Sequence, residues 1–217
     1  MNTEQARFNM VEQQIRPWEV LDQDVLDLLM SLKREEFVPA AARDLAFADL
    51  EIPLGHGESM LPPKLEARIL QEVAPRPSDS VLEVGTGSGY MAALLAGMAK
   101  QVTSVEIRPQ LKAMGEKNLR AQEVLNVTVE LGDAALGWAA HAPYDVIVLT
   151  GSTPLLPDSL LAQLKVGGRL FAIVGDAPLM EARLVTCVAE GVFRTVNLFE
   201  TCVQPLLNAA HPERFVF

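Results

Sequence analysis

The run Val81-Leu82-Glu83-Val84-Gly85-Thr86-Gly87-Ser88-Gly89-Tyr90 concentrates residues able to do chemistry. An apolar stretch with one acid inside it leads into three glycines at alternate positions, the pattern of a buried strand that turns sharply into a helix. A dinucleotide fingerprint reads G-x-G-x-x-G, and here its last glycine position is filled by Tyr90. A carboxylate at Glu83, two residues before the first glycine, also suits a pyrophosphate badly, because like charges repel. A ligand with an ammonium, a sulfonium and a neutral adenosine suits the same turn, and S-adenosylmethionine is such a ligand. Glu106 follows about 20 residues after the turn, where an acid takes both ribose hydroxyls through charge-assisted hydrogen bonds. Asp133, in Gly132-Asp133-Ala134, stands where it can reach the adenine amino group. The candidate cofactor set is Glu83, Gly85, Thr86, Gly87, Ser88, Gly89, Glu106, Ile107, Gly132, Asp133, Ala134 and Thr150. Taken singly, a glycine turn can serve tight packing and a strand-end acid can cap a helix. Three acids after three successive strands point to one ligand.

The elements that must position these residues are legible as alternation. Apolar β-type runs at residues 80–84, 102–106, 127–131, 145–150 and 169–174 are separated by helix-like segments beginning near Tyr90, Gln110 and Pro157. The pattern predicts a doubly wound α/β fold, Rossmann-like, with a mostly parallel sheet and helices on both faces. Residues 183–188 and 195–203 predict a C-terminal antiparallel hairpin. Near the N-terminus Val25, Leu28, Leu29 and Leu32 follow helical spacing, with Asp22 or Asp24 as cap, and predict a helical extension. Residues 50–63 hold two glycines and three prolines with no helical period, so an irregular loop of functional length is expected. The chain reads as one domain, with helices and a substrate loop in 1–79 and the cofactor core in 80–217.

Composition narrows the function classes. The 217 residues are 49% hydrophobic, ample for a buried core. With 18 Lys+Arg against 28 Asp+Glu the net charge is -10, which repels a phosphate backbone, so no nucleic-acid partner is expected. The polar opening and the absence of any apolar run near ~20 residues predict neither secretion nor a membrane span, and hence a cytoplasmic protein. Cys187 and Cys202 form no metal-ligand pattern and read as buried small hydrophobes, so no metal site is expected. The tail residues Phe215, Val216 and Phe217 are apolar and are expected to pack on the domain or on a neighbour.

The whole pattern resembles the protein-L-isoaspartate (D-aspartate) O-methyltransferase family. The resemblance runs through Arg7 to Gln14, Arg34-Glu35-Glu36-Phe37-Val38-Pro39, Ala46-Phe47-Ala48-Asp49 and Ile52-Pro53-Leu54-Gly55-His56-Gly57. It continues through the glycine motif, Val105-Glu106, Asn126-Val127, Gly132-Asp133, Gln163 to Leu170 and Val174-Gly175. Many of these residues lie outside any cofactor turn. The resemblance implies methyl transfer from S-adenosylmethionine to the carboxylate of a damaged aspartyl residue, in a protein or peptide. A carboxylate of unperturbed pKa ~3.9 is already an ionised nucleophile at neutral pH. No general base is needed, and no catalytic residue is assigned.

One departure stands in the loop before the glycine motif. The family usually reads Gly-x-Gly-x-Thr-Ile-Ser there, with the serine holding substrate, whereas this chain reads Gly55-His56-Gly57-Glu58-Ser59-Met60-Leu61. Leucine occupies the serine position. The family's Val-Pro-Leu becomes Gln204-Pro205-Leu206, so Ser59, Leu61 and Gln204 are the candidate substrate-side residues. Three functions fit: an isoaspartyl methyltransferase weakened toward its substrate, a methyltransferase with another acceptor such as a small molecule, and a cofactor-binding protein without transfer.

Overall fold

In the computed structural model of the chain, residues 2–212 are described, and the tail of Phe215, Val216 and Phe217 lies outside them. Helix α1 (Thr3–Met10) starts from Asn2 and runs on through a wider turn at Val11–Ile15 and a tighter one at Arg16–Trp18. Helix α2 (Gln23–Ser31) begins at Asp22, whose carboxylate accepts the amides of Asp24 and Val25, so Asp22 is the cap. It buries Val25, Leu26 and Leu29, while Leu28 fills the space above Gly97.

The expected irregular loop instead contains an antiparallel hairpin, β1 (Ile52–Gly55) and β2 (Glu58–Met60), in register Ile52 to Met60 and Pro53 to Ser59. Its period-two burial, Ile52 and Leu54 in and Pro53 and Gly55 out, is hidden in the sequence by the turn-forming residues themselves. Pro53 is tolerated because this two-stranded ribbon consists only of edges. Helix α3 (Pro63–Val73) follows at once with proline at its first turn and buries Leu65, Ile69, Leu70 and Val73. This helix was not anticipated from the sequence, where Pro62 and Pro63 at its start read as loop.

The main sheet has seven strands: β3 (Ser80–Val84), β4 (Gln101–Glu106), β5 (Val127–Leu131), β6 (Tyr144–Thr153), β7 (Leu164–Val174), β8 (Met180–Ala189) and β9 (Val192–Thr201). Their order is β5-β4-β3-β6-β7-β8-β9, parallel from β5 to β7 and antiparallel for the last two. The anticipated mostly parallel sheet and terminal hairpin are both present. Helices α4 (Tyr90–Met98), α5 (Pro109–Ala121) and α6 (Asp158–Leu161) connect the parallel strands.

The two faces are covered unequally. On one face Val81, Val102, Val146 and Phe171 pack with Met10, Leu29, Leu70, Leu94 and Leu111, drawn from α1 to α5. On the other, Leu82, Ile147, Leu149 and Leu170 cluster with Leu160 of the one-turn helix α6, with Trp138, and with Leu156 and Leu206 from the segments after β6 and β9. Helix α4 is apolar nearly all round because it lies between the sheet and the helices α2 and α3. Cys187 is buried as anticipated, but Cys202 is exposed just past the end of β9. Among the described residues no helix is long and apolar enough to cross a membrane.

Candidate active site

Strand order reverses between β4-β3 and β3-β6, and in open α/β sheets a ligand crevice opens beyond the strand ends at that point. A cleft of about 760 Å³, counting space open to solvent, lies there. Gly85 leaves β3 at φ 101°, and a Cβ on it would stand 2.3 Å from the Thr150 hydroxyl, so only glycine lets the β3 turn and the end of β6 approach. Gly89 caps α4 at φ 85°, and a Cβ there would press on the Gly115 backbone of α5 at 3.1 Å.

Glu106 ends β4 with its carboxylate held by two backbone amides, Gly87 N at 2.9 Å and Arg108 N at 2.9 Å. Each oxygen keeps acceptor capacity on the cleft side, the fit that a ribose diol requires. Asp133 accepts the Ala135 amide at 3.0 Å and the Asn208 side chain at 2.7 Å. Ile107, Gly132, Ala134 and Thr150 join Gly85, Gly87, Glu106 and Asp133 in the lining. The residues present therefore fit S-adenosylmethionine: an oriented carboxylate at the ribose position, apolar walls for adenine, and a glycine turn at the methionine end.

Four candidates sit elsewhere. Glu83 is fully buried beneath the turn, where its carboxylate accepts from Ser104 Oγ at 2.5 Å and its other oxygen has no partner. Ser104 is tied in turn to Thr86 Oγ1 at 2.5 Å. Burial pushes the Glu83 carboxyl up to about 8, against the smaller pull of the Ser104 hydrogen bond. Glu83, a candidate cofactor residue by its place in the sequence, thus lies beneath the turn, tied to it through Ser104 and Thr86. Thr86 and Ser88 are buried and reach only a narrow inner recess, and Gly89 serves α4.

The rest of the cleft is lined by the hairpin and by a C-terminal segment, which carry the candidate acceptor residues. Ser59 and Leu61 lie two residues apart on one face and line both the cleft and its inner recess, together with Leu54, Gly85, Gly87 and Thr150. Gln204 also lines the cleft, but its side chain donates to the Gly57 carbonyl at 2.6 Å and so straps the hairpin turn. Its backbone pairs with the end of β6, through Ser152 N to Gln204 O and Leu206 N to Ser152 O, both 2.9 Å. A second strap joins Arg108 Nε to Glu58 at 2.9 Å.

Sequence reasoning missed Leu54, Glu58, Gly151, Leu206 and Leu207 in the lining. Leu206 had a signal in the Gln204-Pro205-Leu206 motif, and Gly151 is explained by it, since a Cβ there would meet the Leu206 side chain at 2.9 Å. Leu207 carried no residue-type signal.

A parallel sheet that reverses at a glycine turn, with an amide-held carboxylate on the next strand, defines a Rossmann-like methyltransferase dependent on S-adenosylmethionine. The family model described as Protein-L-isoaspartate(D-aspartate) O-methyltransferase matches residues 5–205, and the chain belongs to that family. A protein-L-isoaspartate O-methyltransferase of Methanoculleus marisnigri is 39% identical over 203 residues, 93% of this chain and 91% of that one. One from Protochlamydia amoebophila is 40% identical over 201 residues, 92% of this chain and 95% of the other. Among solved structures, a chain named protein-L-isoaspartate O-methyltransferase superposes with TM-score 0.79 at 23% identity, covering 94% of this chain and 65% of that one. A Plasmodium falciparum protein described under the same name, solved with S-adenosyl-L-homocysteine, gives TM-score 0.78 at 17% identity over 95% of this chain and 98% of its own. These two likenesses concern the fold.

Proposed function

We propose that the protein methylates the free carboxylate of an isoaspartyl residue in a damaged protein or peptide. The observation that carries the proposal is the meeting of the two halves of the cleft: Ser59 and Leu61 face the same recess as Gly85, Gly87 and Thr150. When bound, S-adenosylmethionine supplies an electrophilic methyl carbon on a sulfonium. Glu106 orients the ribose, Asp133 with Gly132, Ile107 and Ala134 frames the adenine, and the Gly85–Gly87 backbone borders the methionine end. Leu54, Leu61 and Leu206 exclude water from the line of attack. The acceptor carboxylate is ionised at neutral pH, so the chain's task is alignment rather than proton abstraction. Leu61 offers that carboxylate no hydrogen bond, and the Ser59 hydroxyl, two residues earlier, borders the same recess. Residues 1–79 act as helices and substrate loop and 80–217 as the cofactor core of one working unit, in the cytoplasm.

A second reading keeps the donor and changes the acceptor. It is favoured by Leu61, which turns a polar position into apolar wall beside Leu54. The deciding assay follows S-adenosylhomocysteine release with an isoaspartyl peptide, with its aspartyl isomer and with no peptide. Release only with the first is expected, one to two decades below a serine-bearing relative in kcat/KM, because one hydrogen bond to a charged group contributes ~1.5–3 kcal/mol. Turnover with no peptide preference overturns the proposal, as does no turnover by a protein that still binds S-adenosylhomocysteine, a result that fits the second reading or cofactor binding without transfer.

A further inference from the structure

The Leu61 carbonyl lies just before Pro62, outside the hydrogen-bond ladder of α3, and it is held by a side chain from the N-terminal extension. Arg34 is 0% exposed, and each kind of nitrogen in its guanidinium has its own partner. Nη2 donates to the Leu61 carbonyl at 2.7 Å, Nε to the Ala46 carbonyl at 2.9 Å, and Nη1 to the carboxylate of Glu66 in the first turn of α3. The guanidinium carbon stands 4.9 Å from the centre of the Tyr90 ring. Tyr90 is the first residue of α4 and directly follows Gly89 of the cofactor turn. One planar cation therefore touches the acceptor strand on one side and the root of the cofactor turn on the other.

Stability alone does not account for such a group. Removing two charges from water costs several kcal/mol, and apolar replacements of buried ion pairs are often as stable or more so. Burial lowers the Arg34 guanidinium to about 10, so it still carries its charge at neutral pH. An apolar side chain could fill this volume, but it could not fix a carbonyl in place. A fixed carbonyl at Leu61 sets the backbone of Ser59 to Leu61, the stretch that faces Gly85 and Gly87.

We propose that Arg34 is a positioning residue for methyl transfer, holding the acceptor strand at a set distance from the methyl-donor turn. The proposal rests on the methyl-transfer reading of the cleft but not on the identity of the acceptor. A displacement of 1 Å at a reacting centre can lower a rate about 100-fold, so the effect belongs in kcat rather than in cofactor affinity.

Arg34→Lys keeps the charge opposite Glu66 and loses the fork. Arg7→Lys is the control, since Arg7 is another buried arginine, paired with Glu35, and it makes no hydrogen bond to the hairpin. Amide hydrogen exchange, S-adenosylhomocysteine calorimetry and single-turnover kinetics are measured on the full chain. In Arg34→Lys, exchange at residues 58–61 should rise at least tenfold, with β3 and β4 unchanged, Kd within twofold and kcat at least tenfold lower. Arg7→Lys should leave exchange at 58–61 where it was. If Arg34→Lys does not fold, Glu66→Gln loosens the guanidinium without emptying its place, and a rise of about threefold at 58–61 is expected. Unchanged hairpin exchange in the folded variant, or an equal rise throughout both lysine variants, overturns the proposal. If the unaltered protein methylates another acceptor and not an isoaspartyl peptide, the isoaspartyl reading fails while exchange and kcat on that acceptor still decide the role of Arg34, and if it methylates none, both readings fall.

Discussion

The two halves of the cleft are held by different means. On the cofactor side the functional groups sit at strand ends and are fixed chiefly by local backbone: Glu106 by two amides and Asp133 by the Ala135 amide, with the Asn208 side chain as a second donor to Asp133. On the acceptor side the hairpin lies outside the main sheet and is fixed by side-chain tethers: Gln204 to Gly57, Arg108 to Glu58, and Arg34 to Leu61. Backbone-held positions tie residue type to the ligand's chemistry. Tether-held positions let a lining side chain change while the strand stays put, which leaves room for a leucine at position 61, where the resemblance implies a serine.

The largest expected effect tests the backbone-held half. Glu106→Ala removes one or two charged hydrogen bonds of ~1.5–3 kcal/mol each, so calorimetry should show S-adenosylmethionine affinity falling at least about tenfold, and more than about 100-fold if both are lost. An unchanged Kd would break the comparison by removing the ribose role.

Leu61→Ser restores a hydroxyl on an already tethered strand. A rise of tenfold or more in kcat/KM for an isoaspartyl peptide is expected, at constant cofactor Kd. High activity in the unaltered protein would show that leucine costs nothing there.

Ser59→Ala should lower kcat/KM about five- to tenfold and leave S-adenosylhomocysteine affinity within twofold. An equal loss in both quantities would place Ser59 on the cofactor side and blur the division.

Glu83→Gln should show the smallest ligand effect, less than threefold in Kd, because the carboxylate lies under the turn and not in the cleft. Its signature is in stability. A carboxyl whose folded pKa is raised to about 8 from 4.5 favours folding while protonated, and that contribution is lost as pH rises through this window. Thermal scans should give similar Tm values for the two proteins near pH 4.5 and a glutamine advantage of several degrees above pH 8. A Tm difference that does not grow with pH would mean Glu83 is not a buried, uncompensated acid.

Legibility followed the same division. The strands of the sheet, the glycine turn, Glu106 and Asp133 could be read from residue type and spacing, because each is dictated by local geometry. Glu83 was read as a ligand contact because spacing along a strand does not say which side of the turn a carboxylate takes. The hairpin was masked by its own glycines and Pro53, and α3 by the prolines at its start. Arg34 lay in a recognised stretch, but its partners at Ala46, Leu61 and Glu66 come together only in the folded chain.

The wall made by Gln204 to Leu207 has a consequence for how the protein is made. Glycine turn, ribose carboxylate and hairpin all leave the ribosome before the segment that closes the cleft above Gly151. At about 5–20 residues per second, the donor turn exists for several seconds without its wall. A nascent chain in that interval gains its sheet strand by strand, from β4 to β9, and has no complete cleft until the end, so capture of the methyl donor is a late event that cannot template the early strands.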